Sequence, residues 1–346
     1  MVAAGTFQAA GSFVAFALFN VGLNEFNQWA LRAGHFPGFN FPALYSMFHM
    51  LVSSLAALLL MLTIAPPPSG LPSFRQFRDY ADGLVLISLC TWMNVFLNNY
   101  SLTLVSLFVN QIIKASSPVP TIVLEGLLAK RRYTLGIVLS VLAICVGSAM
   151  APYYKIRHSD MQSTALGVVA CVVSMLASSL KPVVAMVIMS DRATTERPKL
   201  APELLLFYDC MLSFCFFLLH WLCSWERPIS IAYLSNAPVD APYMEGHDAT
   251  WVALGIIATG SLMAFGFNLA VYYFVMLTSA LTSTIGSNAV KIVIIFVAAL
   301  QDSVNDAVSW SGIAVVATST AAYVYFTFTD QRCQPQQSPE SMPLKE

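Results

Sequence analysis

The 346-residue sequence is 57% hydrophobic and only 10% charged, whereas soluble domains carry about 25% charged residues. This composition excludes an ordinary soluble domain and places the chain among membrane proteins with several spans. A formal net charge of −1 leaves no basic surface of the kind that binds nucleic acid.

Ten apolar runs are long enough to cross a membrane. A transmembrane helix needs about 20 mainly apolar residues, and we predict spans at residues 9–31, 41–64, 82–99, 104–129, 134–153, 163–190, 202–225, 250–276, 279–301 and 308–329. No Lys or Arg precedes Arg32, so the first run lacks the charged region of a signal or transit peptide, and we expect it to be retained as a helix. Residues 331–346 are polar and are expected to form a disordered tail.

The basic residues of the loops predict the orientation of the spans, because cytoplasmic loops carry an excess of Lys and Arg. Loops on the N-terminal side of the membrane hold ten of them, namely Arg75, Arg78, Lys130, Arg131, Arg132, Arg192, Arg197, Lys199, Arg332 and Lys345. The other side holds only Arg32, Lys155, Arg157 and Arg227. Both termini are therefore predicted to lie in the cytosol.

Two similar stretches indicate an internal repeat. When they are superposed, Lys114 aligns with Lys291, Leu104 with Leu281, and Glu125 with Asp302. Each half then holds five spans, and because five is odd the halves cross the membrane in opposite directions. We predict an all-α membrane protein built from two inverted five-helix halves, residues 1–162 and 163–330. Many secondary transporters share this plan, with a site near the midplane.

Charged residues inside the spans indicate where that site lies. A charge at the bilayer centre costs about 2.5–3.5 kcal/mol and usually faces a cavity or a partner. The candidates are Glu25, Lys114, Lys181, Asp209 and Lys291. Helical spacing adds polar neighbours on the same faces: Asn288 beside Lys291, Gln111 beside Lys114, Ser174 beside Lys181, Asn94 with Asn98, and Asn268 with Tyr272. Since lysine binds phosphate as a point charge, these residues predict a site for a phosphorylated anion.

Other roles for the same residues stay open at this point. The lysines could pair with Glu25 and Asp209 as structural ion pairs, or extend to the membrane surface. Intramembrane asparagines also join helices, and Gly260 and Gly266 are more typical of helix packing than of ligand contact. Pro118 and Pro120, which follow Lys114 within two turns, are expected to kink the fourth span.

Catalytic and metal sites find little support in the sequence. Tyr208-Asp209 matches half of an aspartyl intramembrane protease, but the partner motif G-x-G-D and the zinc motif HExxH are both missing. The seven cysteines form no CxxC motif and are interpreted as buried apolar side chains. We therefore predict no enzyme activity, no cofactor and no metal, and we consider a transporter more plausible than a receptor or scaffold.

Five segments in order resemble one known family: FPALYSMFHMLVSSL, VNQIIKASSPV, SSLKPVVAMVIMS, APELLLFYDCMLS and SNAVKIV. The chain resembles the sugar-phosphate/nucleotide-sugar transporter family, also called the triose-phosphate transporter family, of the drug/metabolite transporter superfamily. The resemblance covers about residues 15–328. It implies a drug/metabolite transporter-like fold of ten helices and an exchange of phosphorylated solutes.

Two departures from the family pattern refine the expected substrate. Plastid phosphate translocators carry Lys-Arg in the ninth span, whereas Lys291 is followed by Ile292. Nucleotide-sugar members carry an amide after the seventh-span tyrosine, where this chain has Asp209. We expect a nucleotide-sugar/nucleoside monophosphate antiporter of the Golgi or ER membrane. A sugar-phosphate/inorganic phosphate exchanger and a more general solute transporter are the alternatives.

The predicted site combines cations from both halves with polar groups that orient the substrate. Lys114 and Lys291 are expected to bind phosphate, and Lys181 to add positive charge. The accompanying polar residues are Asn288, Gln111, Tyr208, Tyr272 and Asp209. The expected partners are a phosphorylated small molecule and the lipid bilayer, and the sequence leaves open whether the protein is a monomer or a homodimer.

Overall fold

The computed structural model describes residues 2–31, 39, 41–64, 70–102, 104–105, 110, 113–151, 165–189, 199–235, 249–301 and 306–333. Within these ranges every regular element is helical and no strand occurs, which confirms the all-α class. Gln111 and Asp302 lie outside the described residues, as does most of the predicted tail.

The first half of the chain contains the helices α1 (Val2–Ala30), α2 (Pro42–Thr63), α3 (Phe74–Leu102), α4 (Pro118–Leu128) and α5 (Leu135–Met150). Residues 110 and 113–115 are also helical, and a turn at residues 116–117 separates them from α4. Where a kink was predicted, the helical segment is thus interrupted just before Pro118. Proline suits the start of a helix because the first-turn N–H groups have no partner within the helix, and Pro42 and Pro202 begin helices in the same way.

The second half contains the helices α6 (Ala165–Met189), α7 (Pro202–Cys223), α8 (Glu226–Leu234), α9 (Ala249–Leu277), α10 (Ala280–Gln301) and α11 (Ala307–Cys333). The short helix α8 follows α7 directly, and its first residue, Glu226, accepts hydrogen bonds from the N–H groups of Ala43 and Leu44 at the start of α2. Helix α11 continues to Cys333, slightly past the predicted start of the tail.

Seven helices in the described part of the chain are long and apolar enough to cross a membrane, over Gln8–Asn27, Pro42–Thr63, Phe74–Ser101, Ala165–Met189, Pro202–Cys223, Thr250–Leu277 and Ala307–Thr327. Helix α5 is apolar but shorter. Large apolar side chains such as Leu18, Leu59 and Leu219 are exposed on these helices, as expected for a surface in contact with lipid. The chain is therefore an integral membrane protein.

The helices pack mainly in pairs. Helix α3 packs against α6, α2 against α7, α5 against α11, and α1 against α9, while α10 contacts α4. The largest apolar core lies between α2, α3, α7 and α9, where Tyr45, Leu84, Leu205 and Tyr272 are buried. The helix α6, which carries Lys181, packs on α3, and α10, which carries Lys291, contacts α4 just after Lys114.

Glycines allow several of these helices to approach closely. A Cβ on Gly260 of α9 would lie 2.0 Å from the Tyr45 hydroxyl of α2, and one on Gly266 would lie 2.5 Å from the Phe19 ring of α1. Both distances are far shorter than a carbon contact allows, so a larger residue would force the Tyr45 or Phe19 ring to shift. The prediction that Gly260 and Gly266 serve helix packing is confirmed.

Candidate functional site

A polar stripe runs along one side of α3. Its members are three or four residues apart and therefore share a face of the helix: Ser88, Thr91, Asn94, Asn98 and Ser101. Most of this stripe is buried. Its side chains bond to Asp209 of α7, to Asn110 and to Lys114. The stripe organises the polar interior of the molecule.

Lys114 is held by two oxygen atoms. Its Nζ donates to the Asn94 Oδ1 at 2.7 Å and to the Ser174 Oγ of α6 at 2.5 Å. The Ser174 hydroxyl in turn donates to the Asn94 carbonyl oxygen at 2.8 Å. Because an ammonium group has three donors, these contacts fix Lys114 and leave one N–H for another acceptor.

Lys291 has a different environment. Among the described residues its Nζ has no hydrogen-bond or ion-pair partner. Lys291 lies one helical turn from Asn288, which bonds to the residue after Lys114, so the two lysines lie on adjoining segments. A lysine inside a membrane normally has a counter-charge or faces a water-filled cavity, so two lysines on adjoining segments that have no carboxylate partner among the described residues form an arrangement that an anion would stabilise.

Asn288 joins the two lysine-bearing elements. Its Nδ2 donates to the carbonyl oxygen of Ala115 at 3.0 Å, next to Lys114 in the chain and one helical turn from Lys291. The Asn288 side chain is buried, and its Oδ1 has no hydrogen-bond partner within the described part of the structure. Asn288 thus holds Lys114 and Lys291 at the same level and presents an acceptor beside them.

Lys181, Asp209 and Tyr272 form a second cluster. The Lys181 Nζ lies 2.9 Å from the Asp209 Oδ2, and the Tyr272 hydroxyl donates to the same oxygen at 2.6 Å. The other carboxylate oxygen accepts from Thr91 at 3.0 Å and from Ser213 at 3.1 Å. The carboxylate therefore has four donors and neutralises Lys181, the arrangement described above as a structural ion pair.

The remaining predicted residues lie elsewhere. The Tyr208 hydroxyl donates to the Ser73 carbonyl oxygen at 2.9 Å and accepts from the Ser73 N–H at 2.9 Å, so it is bound to the segment before α3. Glu25 is exposed on α1. Gln111 is outside the described residues.

Sequence reasoning missed two donors of the second cluster. Thr91 lies three residues before Asn94 and Ser213 four residues after Asp209, so each continues a polar face by helical spacing. That spacing could have indicated both donors. It is a weak signal, because a single Thr or Ser in an apolar helix commonly bonds to a backbone carbonyl of its own helix, as Ser88 and Thr91 also do here.

The sequence also matches known proteins. The model of the Triose-phosphate Transporter family matches residues 7–324. The chain is 25% identical over 285 residues to the GDP-mannose transporter GONST5 of Arabidopsis thaliana, covering 81% of this chain and 74% of that protein. It is 24% identical over 272 residues to UDP-galactose transporter 1 of Arabidopsis thaliana, covering 78% and 72%.

The fold matches a crystal structure of another protein with a TM-score of 0.62 and 12% sequence identity, covering 96% of this chain and 99% of that one. At this identity the match supports the fold alone. The family model, in contrast, matches nearly the whole chain, and the matched range includes the three intramembrane lysines. The chain therefore belongs to the Triose-phosphate Transporter family and is a membrane transporter, not an enzyme.

Proposed function

We propose that the chain is a secondary antiporter for organophosphate anions, which exchanges a nucleotide-sugar for a nucleoside monophosphate by alternating access. Two relatives in the same family are named as transporters of GDP-mannose and UDP-galactose. The departure at Ile292 from the phosphate translocators points in the same direction.

The observation that carries the proposal is the meeting of Lys114 and Lys291. They come from distant parts of the chain, and Asn288, one helical turn from Lys291, donates to the carbonyl oxygen of Ala115, the residue after Lys114. Because Lys181 is neutralised by Asp209, these two lysines supply the positive charge of the site. A phosphate or pyrophosphate group matches that charge and accepts hydrogen bonds from both ammonium groups.

We propose that the site lies between two inverted halves, residues 1–162 and 163–330. In this plan α1, α2, α3, α4 and α5 correspond to α6, α7, α9, α10 and α11. The α1–α9 contact then corresponds to the α6–α3 contact, while α2–α7 and α5–α11 each join a helix to its own counterpart. A two-fold axis in the membrane plane would produce this set of contacts.

The charge of the site also explains why transport would be an exchange. Two lysines inside the membrane without a counter-anion are costly to enclose in a low-dielectric interior. A bound anion removes this cost, so the loaded carrier changes orientation more readily than the empty one. We place the protein in the Golgi or ER membrane with both termini in the cytosol, which the distribution of basic loop residues supports.

Purified protein in vesicles tests the exchange. A thermal-shift screen with uridine and guanosine monophosphates, their nucleotide-sugars, sugar phosphates and inorganic phosphate first identifies which compounds stabilise the folded state. Vesicles preloaded with the matching nucleoside monophosphate should then take up labelled nucleotide-sugar much faster than empty vesicles. Equal rates would contradict obligatory exchange, and uptake driven by internal inorganic phosphate would favour the sugar-phosphate exchanger.

Lysine variants test the site itself. Lys291→Ala should abolish exchange without lowering the unfolding temperature, because it removes a charge with no partner among the described residues. Lys114→Ala should also abolish exchange but lower stability by about 1–3 kcal/mol, because Asn94 and Ser174 lose their donor. Arg75→Ala, exposed at the start of α3, is the control. Exchange at the normal rate in Lys291→Ala would exclude the proposed anion site.

A further inference from the structure

A buried carboxylate joins the ends of α4 and α10. Glu125 lies near the end of α4 with no exposed surface. Its Oε1 accepts from the Leu281 N–H in the first turn of α10 at 2.7 Å. First-turn N–H groups have no partner within their own helix and carry the positive end of the helix dipole, so a carboxylate is their most favourable partner.

The chain after α4 turns back onto the same carboxylate. Lys130 adopts a left-handed conformation, with φ 51°, and the Arg131 N–H donates to the Glu125 carbonyl oxygen at 3.3 Å. This reversal places the Arg131 guanidinium 3.8 Å from the Glu125 Oε2 and lets the Tyr133 hydroxyl donate to that oxygen. The Glu125 carboxylate is thus bonded on both sides.

The Glu125–Leu281 contact lies at one end of the α4–α10 pair, away from the two lysines. Helices α4 and α10 are antiparallel where Glu125 meets Leu281, and Lys114 and Lys291 both lie on the same side of that contact. Each is about 15 Å from it by helical rise. The Asn288–Ala115 hydrogen bond joins the same two elements again at the level of the lysines.

We propose that Glu125 is a latch that closes the anion site on the side of the loop at residues 129–134, and that each transport cycle must open it. This inference rests on the proposed transport function. Substrate cannot pass between α4 and α10 on that side while the bonds from Leu281 and Tyr133 to Glu125 persist. Glu125 acts through the helices and does not contact the substrate, so it is a positioning residue for transport.

Opening can be measured without a ligand. Ser283 lies one turn into α10 beyond the latch and is buried, so a Ser283→Cys reporter, in a chain whose seven native cysteines are replaced by alanine, should react slowly with a membrane-impermeant thiol reagent. Glu125→Gln should raise its labelling rate about tenfold, as expected for loss of a charge-assisted hydrogen bond. Tyr133→Phe should give a smaller increase, and it keeps the test open if Glu125→Gln fails to fold. Glu25→Gln, exposed on α1, should leave labelling unchanged.

Exchange kinetics separate a latch from a simple helix cap. With preloaded vesicles and uridine or guanosine monophosphate as probe, Glu125→Gln should change the maximal exchange rate more than the half-saturating concentration. A cap alone would lower the unfolding temperature and leave both labelling and rate unchanged. Folded Glu125→Gln or Tyr133→Phe protein that labels at the parental rate would overturn the latch. Because labelling needs no substrate, absence of exchange with every nucleotide would contradict the proposed function and leave the latch test intact.

Discussion

Three lysines inside the membrane have three different environments. Lys114 is fixed by two neutral oxygens, Lys181 is neutralised by a carboxylate, and Lys291 has no partner among the described residues. Of the three, Lys181 has its charge balanced by Asp209, whereas the charges of Lys114 and Lys291 are not balanced by a carboxylate among the described residues.

The Lys181–Asp209 pair should make a large contribution to stability as a unit. Asp209→Asn leaves Lys181 unpaired inside the membrane and should cost about 3–5 kcal/mol. The double variant Lys181→Met/Asp209→Asn removes both charges and should recover most of that loss, which thermal or denaturant unfolding in detergent can measure as a double-mutant cycle.

The exposed pair of Arg78 and Asp79, 3.9 Å apart, provides the control, and Arg78→Ala should change stability by less than about 0.5 kcal/mol. Additive losses in the cycle would show that the buried pair is not coupled. The folded double variant should also keep its exchange activity; loss of exchange would instead make Lys181 a substrate ligand.

The candidate residues were predictable from sequence, but their roles were not. Helical spacing and the repeat identified Lys114, Lys291 and Asn288 as members of one polar region. Which lysine forms the ion pair with Asp209 depends on the rotation of α7 against α6 and α3. This rotation is set by the packing of the helices. The binding of Tyr208 to Ser73 is likewise a tertiary contact between residues far apart in the chain.

At the level of helices, α5 and α11 pack through glycine. A Cβ on Gly312 of α11 would lie 2.5 Å from the Ala151 backbone nitrogen and 2.8 Å from the Gly147 carbonyl oxygen. Backbone atoms cannot move aside as a flexible side chain can, so the two helices would have to separate.

Gly312→Ala should therefore destabilise the protein by about 1–3 kcal/mol. Gly255→Ala in α9 is the matched control, because its Cβ would meet no atom within 4 Å, and it should stabilise the helix by about 0.5–1 kcal/mol. Unfolding in detergent distinguishes the two, and equal effects would contradict the close α5–α11 contact.

Helix positions follow from local sequence, whereas contacts between helices do not. Apolar runs located most helices, and the runs predicted from residues 41 and 202 begin within one residue of α2 and α7. The bond between Glu125 and Leu281 joins residues 156 positions apart, and no periodicity within α4 or α10 indicates it. Glu125 could be placed near a span end by sequence, but its partner could not.

For the whole molecule, an even number of spans requires both chain ends on one side of the membrane. Epitope tags at the two termini should both be accessible to antibody when only the plasma membrane is permeabilised, because the basic loops predict cytosolic ends. Access to just one tag would contradict the ten-span plan, and protection of both would reverse the orientation.

The Lys181–Asp209 contact also bears on how the chain is made. Helices α6 and α7 are consecutive, so the two opposite charges can enter the bilayer together as one hairpin during synthesis. Neutralisation on entry reduces the cost that either charge would carry alone. We expect α6 and α7 to insert as a hairpin more readily than either helix alone.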